Sequence, residues 1–283
     1  MSQQVSRYFV PEPSHWPIFG SMALFCMASG AALWMNKVHA GPWVFVTGLA
    51  ILAYMLFGWF GTVIRESEGG RYNKQVDTSF RWSMGWFIFS EVMFFAAFFG
   101  ALFYTRVLSV PDLASGDNLA LLYHGFTDVW PNAGPAFKET FHPMEPWGLP
   151  AINTALLLSS GATLTWAHWG LLKDNRKQLI IGLALTVILG ALFLTFQVHE
   201  YGEAYEHLNL KLTTGVYGST FFMLTGFHGF HVTLGATMLT VILLRSIAGH
   251  FKPDHHFAFE AVAWYWHFVD VVWLLLFVLV YWL

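Results

Sequence analysis

Polar residues in this chain come in clusters, and the intervals between clusters are apolar for about 20 residues at a time. Seven such intervals run at roughly 17–36, 42–64, 82–107, 149–172, 178–200, 214–245 and 258–282. At about 1.5 Å of rise per residue, each is long enough for a helix to cross the hydrocarbon core of a bilayer. The pattern predicts an all-α integral membrane protein with seven transmembrane helices. The opening segment, MSQQVSRYFVPEPSHWP, is polar and broken by proline. It lacks the apolar centre of a cleaved signal peptide, so the first span is expected to insert uncleaved. RESEGGRYNKQVDTSFR at 65–81 reads as a polar break. It sets a segment 1–64 with two spans apart from a segment 65–283 with five. The stretch 108–148, with five prolines and four glycines, reads as a long loop.

The positive charges orient these spans. Arg7, Arg65, Arg71, Lys74, Arg81, Lys173, Arg176, Lys177, Arg245 and Lys252 fall on one side, and Lys37, Arg106, Lys138 and Lys211 on the other. The richer side faces the cytoplasm, which places the N-terminus inside and, after seven spans, the C-terminus outside. Composition agrees with a bilayer as solvent. The chain is 56% hydrophobic and 11% charged, with 14 Trp and 28 Phe, against roughly 25% charged residues in a soluble domain. A net charge of −3 offers no basic surface for nucleic acid. The single Cys26 lies in an apolar run, so neither a disulfide framework nor a CxxC metal site is expected.

One span poses a chemical problem. WFIFSEVMFFAAFFGALFY, 86–104, holds a single charge, Glu91, among seven phenylalanines. Glu91 lies nine residues past Trp82, roughly 13–14 Å along the axis and near the bilayer midplane. An ionised, unpaired carboxylate costs several kcal/mol there. No Lys or Arg lies within a turn or two, so the third span supplies no salt bridge of its own. In TGFHGFH, His228 and His231 are three residues apart. They share a helix face and fall at a similar depth. The expectation is a hydrogen bond from Glu91 to one of them, His231 before His228, pinning the third span to the sixth.

The other histidines weigh less. His168, His199 and His267 lie in or near spans, and His267 stands three before Asp270 in WYWHFVD. Metal ligation needs several converging ligands, so these read first as buried hydrogen-bonding groups and only second as chelators. HFKPDHHFAFE gathers His250, Asp254, His255, His256 and Glu260. A single such box reads as a wet loop whose imidazoles, with His15, form a surface that collects protons near neutral pH. HEYGEAYEH spaces Glu200, Glu203 and Glu206 three apart, read as one acidic face at a helix end. No phosphate-cradling glycine loop and no Ser/His/Asp order is present, so no self-contained active site is expected. A stand-alone membrane oxidoreductase using the histidines, or a transporter with Glu91 as its proton site, are the competing classes.

Five stretches carry a resemblance. They are GVYGSTFFMLTGFHGFHVTLGATML at 215–239, HHFAFEAVAWYWHFVDVVWLLLFVLVYWL at 255–283, NTALLLSSGATLTWAH at 153–168, WFIFSEVMFFAAFF at 86–99 and VIRES at 63–67. Together they make the chain resemble subunit III of cytochrome c oxidase, in the haem–copper oxidase superfamily, over nearly its whole length. The long third loop looks like the bacterial form. The resemblance implies seven helices in groups of two and five, separated by a V-shaped cleft filled with phospholipid. It implies a subunit with no catalytic residue, haem or copper of its own, packed beside subunit I, which carries the metal centres and proton channels, and with subunit II in the same complex. That complex reduces oxygen to water with electrons from cytochrome c and pumps protons. Subunit III supports proton uptake and protects subunit I during turnover. A quinol-oxidising relative is the alternative. The implied location is a bacterial plasma membrane. Glu91 matches a carboxylate that the family keeps in its third helix and that reacts with hydrophobic carbodiimides. On the helices that the family places across the cleft, Trp59, Arg65, Glu66, Arg245 and His250 are the expected lipid-binding residues, since guanidinium groups match phosphates and tryptophan suits the headgroup zone. No metal is expected in the chain.

Overall fold

A computed structural model describes residues 12–283, so Arg7 lies outside the described residues. The long helices are α1 (Trp16–Met35), α2 (Gly41–Glu68), α3 (Lys74–Phe103), α5 (Leu149–Leu172), α6 (Arg176–Glu206), α7 (Gly215–Ala248) and α8 (Phe257–Leu276). A one-turn α4 (Val110–Leu113) follows a π-helical stretch, Tyr104–Ser109, and α8 runs on into another, Phe277–Trp282. Among the described residues there is no strand, only an isolated bridge between Lys252 and His255.

Among the described residues, six helical stretches are long and apolar enough to cross a membrane: Trp16–Met35, Gly41–Glu68, Lys74–Leu113, Arg176–Glu206, Gly215–Ala248 and Phe257–Trp282. α5 occupies the fourth predicted interval but is not among the six. Asn153, Ser159, Ser160, Thr163, Thr165 and His168 dilute its apolarity, and Asn153 and Ser160 are fully buried. Large apolar side chains crowd the outside: Phe25, Trp43 and Phe57 are 73%, 76% and 81% exposed. A lipid solvent accepts such a surface and water does not. This is a multi-pass membrane protein.

The expected polar break over 65–81 is a much shorter one. α2 continues to Glu68 and α3 already begins at Lys74. Asn73 starts α3 by accepting the Val76 N–H at 2.9 Å, and Arg81 pairs with Asp77 one turn earlier at 2.9 Å. Helix propensity and local caps decide these ends, whereas hydropathy decides only which part of the helix is apolar.

The chain divides into two compact units, the first reaching Trp82 and the second running from Ser83 to Leu283. In the first, α1 and α2 approach through glycine. A side chain at Gly30 would strike the Phe45 backbone, and one at Gly48 would meet Met27 and the Ala23 carbonyl. Close approach of small residues is the usual source of helix affinity where lipid removes the hydrophobic drive.

The second unit is built around Trp266 of α8, which is 0% exposed. Its indole lies against Gly190 of α6 and Gly235 of α7: a Cβ at either glycine would come within 2.8 Å of the ring. Its Nε1–H donates to Ser160 Oγ of α5 at 2.8 Å. One side chain of α8 therefore touches α5, α6 and α7. Hydroxyl pairs add to this, Thr163 to Thr186 at 2.8 Å and Tyr201 to Thr225 at 2.7 Å. α7 ends at Gly249, whose φ of 83° is left-handed, and the Arg176 guanidinium donates to the Ile247 carbonyl there. Both devices serve carbonyls that a helix end leaves without partners.

Replacing Gly190 or Gly235 with valine is expected to destabilise the second unit by about 1–3 kcal/mol, the cost of overpacking. Gly85→Ala, at a position with nothing within 4 Å, should stay within about 0.5 kcal/mol. Thermal unfolding in detergent, followed by tryptophan fluorescence, distinguishes them.

Candidate functional site

Glu91 of α3 meets His231 of α7, with Oε2 2.8 Å from Nε2. The pair is mostly enclosed, 21% of the Glu91 side chain and 8% of the His231 side chain being exposed. Aromatic rings make the enclosure. Phe95 stands edge-on to the imidazole at 5.0 Å, Phe94 lies at 5.8 Å, and Tyr265 of α8 stacks parallel at 6.4 Å. The other ring nitrogen, Nδ1, lies 2.6 Å from the Phe227 carbonyl. A carbonyl only accepts, so Nδ1 carries a proton. One further proton lies between Nε2 and Glu91. Whether it resides on the carboxyl or on the imidazole, the pair sums to zero charge.

His228, one turn earlier, is fully buried and turns away from Glu91. Its Nε2–H donates to the Val269 carbonyl of α8 at 3.2 Å, and its ring packs on Trp273 at 5.2 Å. The shared face thus splits its tasks, His231 tying α7 to α3 and His228 tying α7 to α8. Ser90 plays no part in the pair: its hydroxyl donates to the Phe87 carbonyl at 2.6 Å.

The residues expected at lipid headgroups lie in separate units. In the first, Trp59 is 48% exposed, Arg65 donates to Thr62 Oγ1 at 3.1 Å, and Glu66 accepts from the Tyr72 hydroxyl at 2.8 Å. Burial, and then that bond to Glu66, push the Tyr72 phenol well above its ordinary range. In the second, the Arg245 guanidinium lies over the Phe251 ring at 4.6 Å, with His250 half-buried nearby in the chain.

Of the histidines expected at a wet surface, His15 and His255 are exposed. His256 is not: it is 9% exposed, because it begins α8 and its Nδ1–H donates to the Lys252 carbonyl at 3.0 Å. Its Nε2 faces Glu260 Oε1 at 2.9 Å. His168 of α5 joins them. The three residues each offer a ligand atom, all within 4.8 Å of one another, and they are the metal-competent group among the described residues. His267 and Asp270 approach at 3.4 Å, over Gly161 of α5, where any Cβ would strike the Asp270 carboxylate.

The single acidic face expected of Glu200, Glu203 and Glu206 does not form. Glu200 is 0% exposed and accepts from the buried Tyr281 hydroxyl at 2.7 Å, while Glu206 is exposed. Three-residue spacing turns successive side chains by about 60°, enough to send one inward and another out. Asn153 and Gln197 are also fully or nearly buried polar groups. The signal for them was a polar residue inside an apolar span.

These features define a polytopic helical membrane protein whose buried polar groups are spent on joining helices. The sequence matches the family model described as cytochrome c oxidase subunit III over residues 6–283. It is 42% identical to cytochrome c oxidase subunit 3 of Scyliorhinus canicula, over 100% of this chain and 99% of that protein. Identity and coverage are the same for the subunit 3 proteins of Cyprinus carpio and Danio rerio. The chain belongs to the cytochrome c oxidase subunit III family.

A double-mutant cycle on Glu91→Ala and His231→Ala, read by thermal unfolding in detergent, should give a coupling of about 0.6 kcal/mol and no more than about 2. Glu91→Ala alone should cost more, about 1–3 kcal/mol, because it leaves a buried imidazole nitrogen without a partner. Glu91→Gln, which keeps a hydrogen bond, should recover most of the loss.

Proposed function

We propose that the chain is a non-redox accessory subunit of a proton-pumping terminal oxidase, which reduces oxygen to water with electrons from cytochrome c. In this reading subunits I and II hold the haem and copper. This chain packs mainly on subunit I, supports its proton uptake and its stability during turnover, and takes structural phospholipid as its only bound cofactor. His231 carries the reading. Both of its ring nitrogens are engaged inside the chain, on Glu91 and on the Phe227 carbonyl, whereas an axial haem ligand keeps one nitrogen for iron. The Glu91–His231 pair is accordingly a joint between helices, and any proton movement there is local. The family name supports cytochrome c over a quinol as electron donor.

The finer architecture belongs to the same proposal. α5 is the fourth of seven spans in chain order, its polar residues turned inward, and the spans group as two and five, with the segment 1–64 as the smaller group. The N-terminus is cytoplasmic and the C-terminus periplasmic in a bacterial plasma membrane, supported by the distribution of Lys and Arg. Phospholipid headgroups bind Trp59, Arg65 and Glu66 in one unit and Arg245 and His250 in the other.

Removing this chain from the purified oxidase tests the proposal. Haem and copper content should be unchanged and turnover should begin normally, then decay faster than in the intact complex. Loss of a stoichiometric haem or copper with the chain would overturn it. Exposed His15 and His255, with half-buried His250, are the proton-collecting candidates, and His256 drops to a supporting role because it is buried. Changing the three to glutamine should make turnover fall off at lower pH than in the wild type, by loss of local proton donors. An unaltered pH profile would remove that role.

A further inference from the structure

We propose that His267 is the polar contact of an interface: its imidazole donates a hydrogen bond to an acceptor on a transmembrane helix of another subunit, laid along α8 and the adjoining edge of α5. His267 lies ten residues past the start of α8 at Phe257, about 15 Å along the axis and well inside the Phe257–Trp282 span. Its side chain is nevertheless 44% exposed. Nδ1 faces inward, 3.4 Å from Asp270 Oδ2 and against the bare backbone of Gly161. The Asp270 side chain is only 9% exposed, and its Oδ1 finds no hydrogen-bond partner among the described residues. Nε2, on the opposite edge of the ring, points outward, and among the described residues it meets no acceptor.

The protons follow from the depth. An ionised Asp270 beside a neutral imidazole would leave a net negative charge inside the span, which hydrocarbon penalises heavily. A neutral pair keeps one proton between Nδ1 and Oδ2. It is either an imidazolium with a carboxylate or an imidazole with a carboxylic acid, and in both Nε2 bears a hydrogen. A donor therefore faces a surface where lipid tails offer nothing to accept it. The rest of that surface is apolar. Trp264, Val271 and Leu274 of α8 and Leu158 of α5 are exposed around the ring, and exposed Ala162 keeps the α5 edge low enough for a second helix to come close. Water and lipid headgroups satisfy the donor but not its apolar surroundings, and acyl chains do the reverse. An apolar helix with one side-chain oxygen at this depth satisfies both. Such an oxygen belongs to Ser, Thr, Asn, Gln, Asp or Glu on the partner.

The proposal rests on the reading of the chain as one subunit of an oxidase complex, and names the face it uses there. Intact oxidase is purified through a tag on another subunit, washed in detergent, and the amount of this chain retained is measured. His267→Phe keeps a ring and loses the donor. It should lower retention by about threefold, the contribution of an average hydrogen bond between membrane helices. His267→Gln keeps an N–H and should be retained like the wild type. Equal retention of His267→Phe and His267→Gln, high or low, would overturn the proposal while leaving the accessory-subunit reading intact. A wild-type chain that does not co-purify at all would overturn both. If the variants fail to accumulate in the membrane, a photoreactive p-benzoylphenylalanine at Val271, in an otherwise wild-type chain within the intact complex, decides. Adducts with a transmembrane segment of another subunit support the interface. Adducts only with lipid or within this chain refute it.

Discussion

The second unit depends on the insertion of one indole between three other helices. Trp266 is large and flat, and it fits only because Gly190 and Gly235 present bare backbone to its faces. Ser160 then receives its N–H, so the most bulky buried side chain carries no unmet polar atom. Lipid gives helices no hydrophobic reason to associate, and contact of this kind, with dispersion over a whole ring, is the substitute. Helix spacing in the unit follows from that fit. The hydroxyl pairs between α5 and α6 and between α6 and α7 form at their observed lengths only once the spacing is set.

Buried polar groups then act as register marks. Each of the ties described, Glu91 to His231, His228 to Val269, Trp273 Nε1 to Thr154 at 2.9 Å and Tyr281 to Glu200, joins a different pair of helices. Each is worth little by itself, about 0.6 kcal/mol on average in a membrane. A slipped register would strand several at once, and each stranded group costs about 1–3 kcal/mol. The network therefore discriminates between packings more strongly than it stabilises any one of them. The phenylalanines around Glu91 supply area, and the single carboxylate supplies direction.

Hydropathy made most of the helices legible in the sequence, because a run of about 20 apolar residues has few alternatives in a bilayer. It misplaced the ends of α2 and α3, where Asn73 and the Asp77–Arg81 pair extend helix into polar sequence. The Glu91–His231 contact was legible for a physical reason: a carboxylate at mid-depth needs a partner at the same depth, and α7 offered two on one face. His231, ranked before His228 from the sequence, is the one that turns toward α3, while His228 packs against Trp273. Glu200 and His256 were misread as solvent-facing. A polar residue at a helix end faces in or out according to what the neighbouring helix brings, and Tyr281 and His168 come from far along the chain. Local motifs show candidates, and convergence is a property of the fold.

The zero net charge of the Glu91–His231 pair has an electrical meaning. A unit charge moved across a membrane exchanges about 2.3 kcal/mol with each 100 mV of potential, several times what the contact itself contributes. A lone carboxylate at that depth would feel this force, and its occupancy would swing as the membrane energised and relaxed. A proton that shuttles between Oε2 and Nε2, 2.8 Å apart, crosses only a small fraction of the field. The joint between α3 and α7 is thereby insulated from voltage, and holds equally well in a resting membrane and a fully charged one.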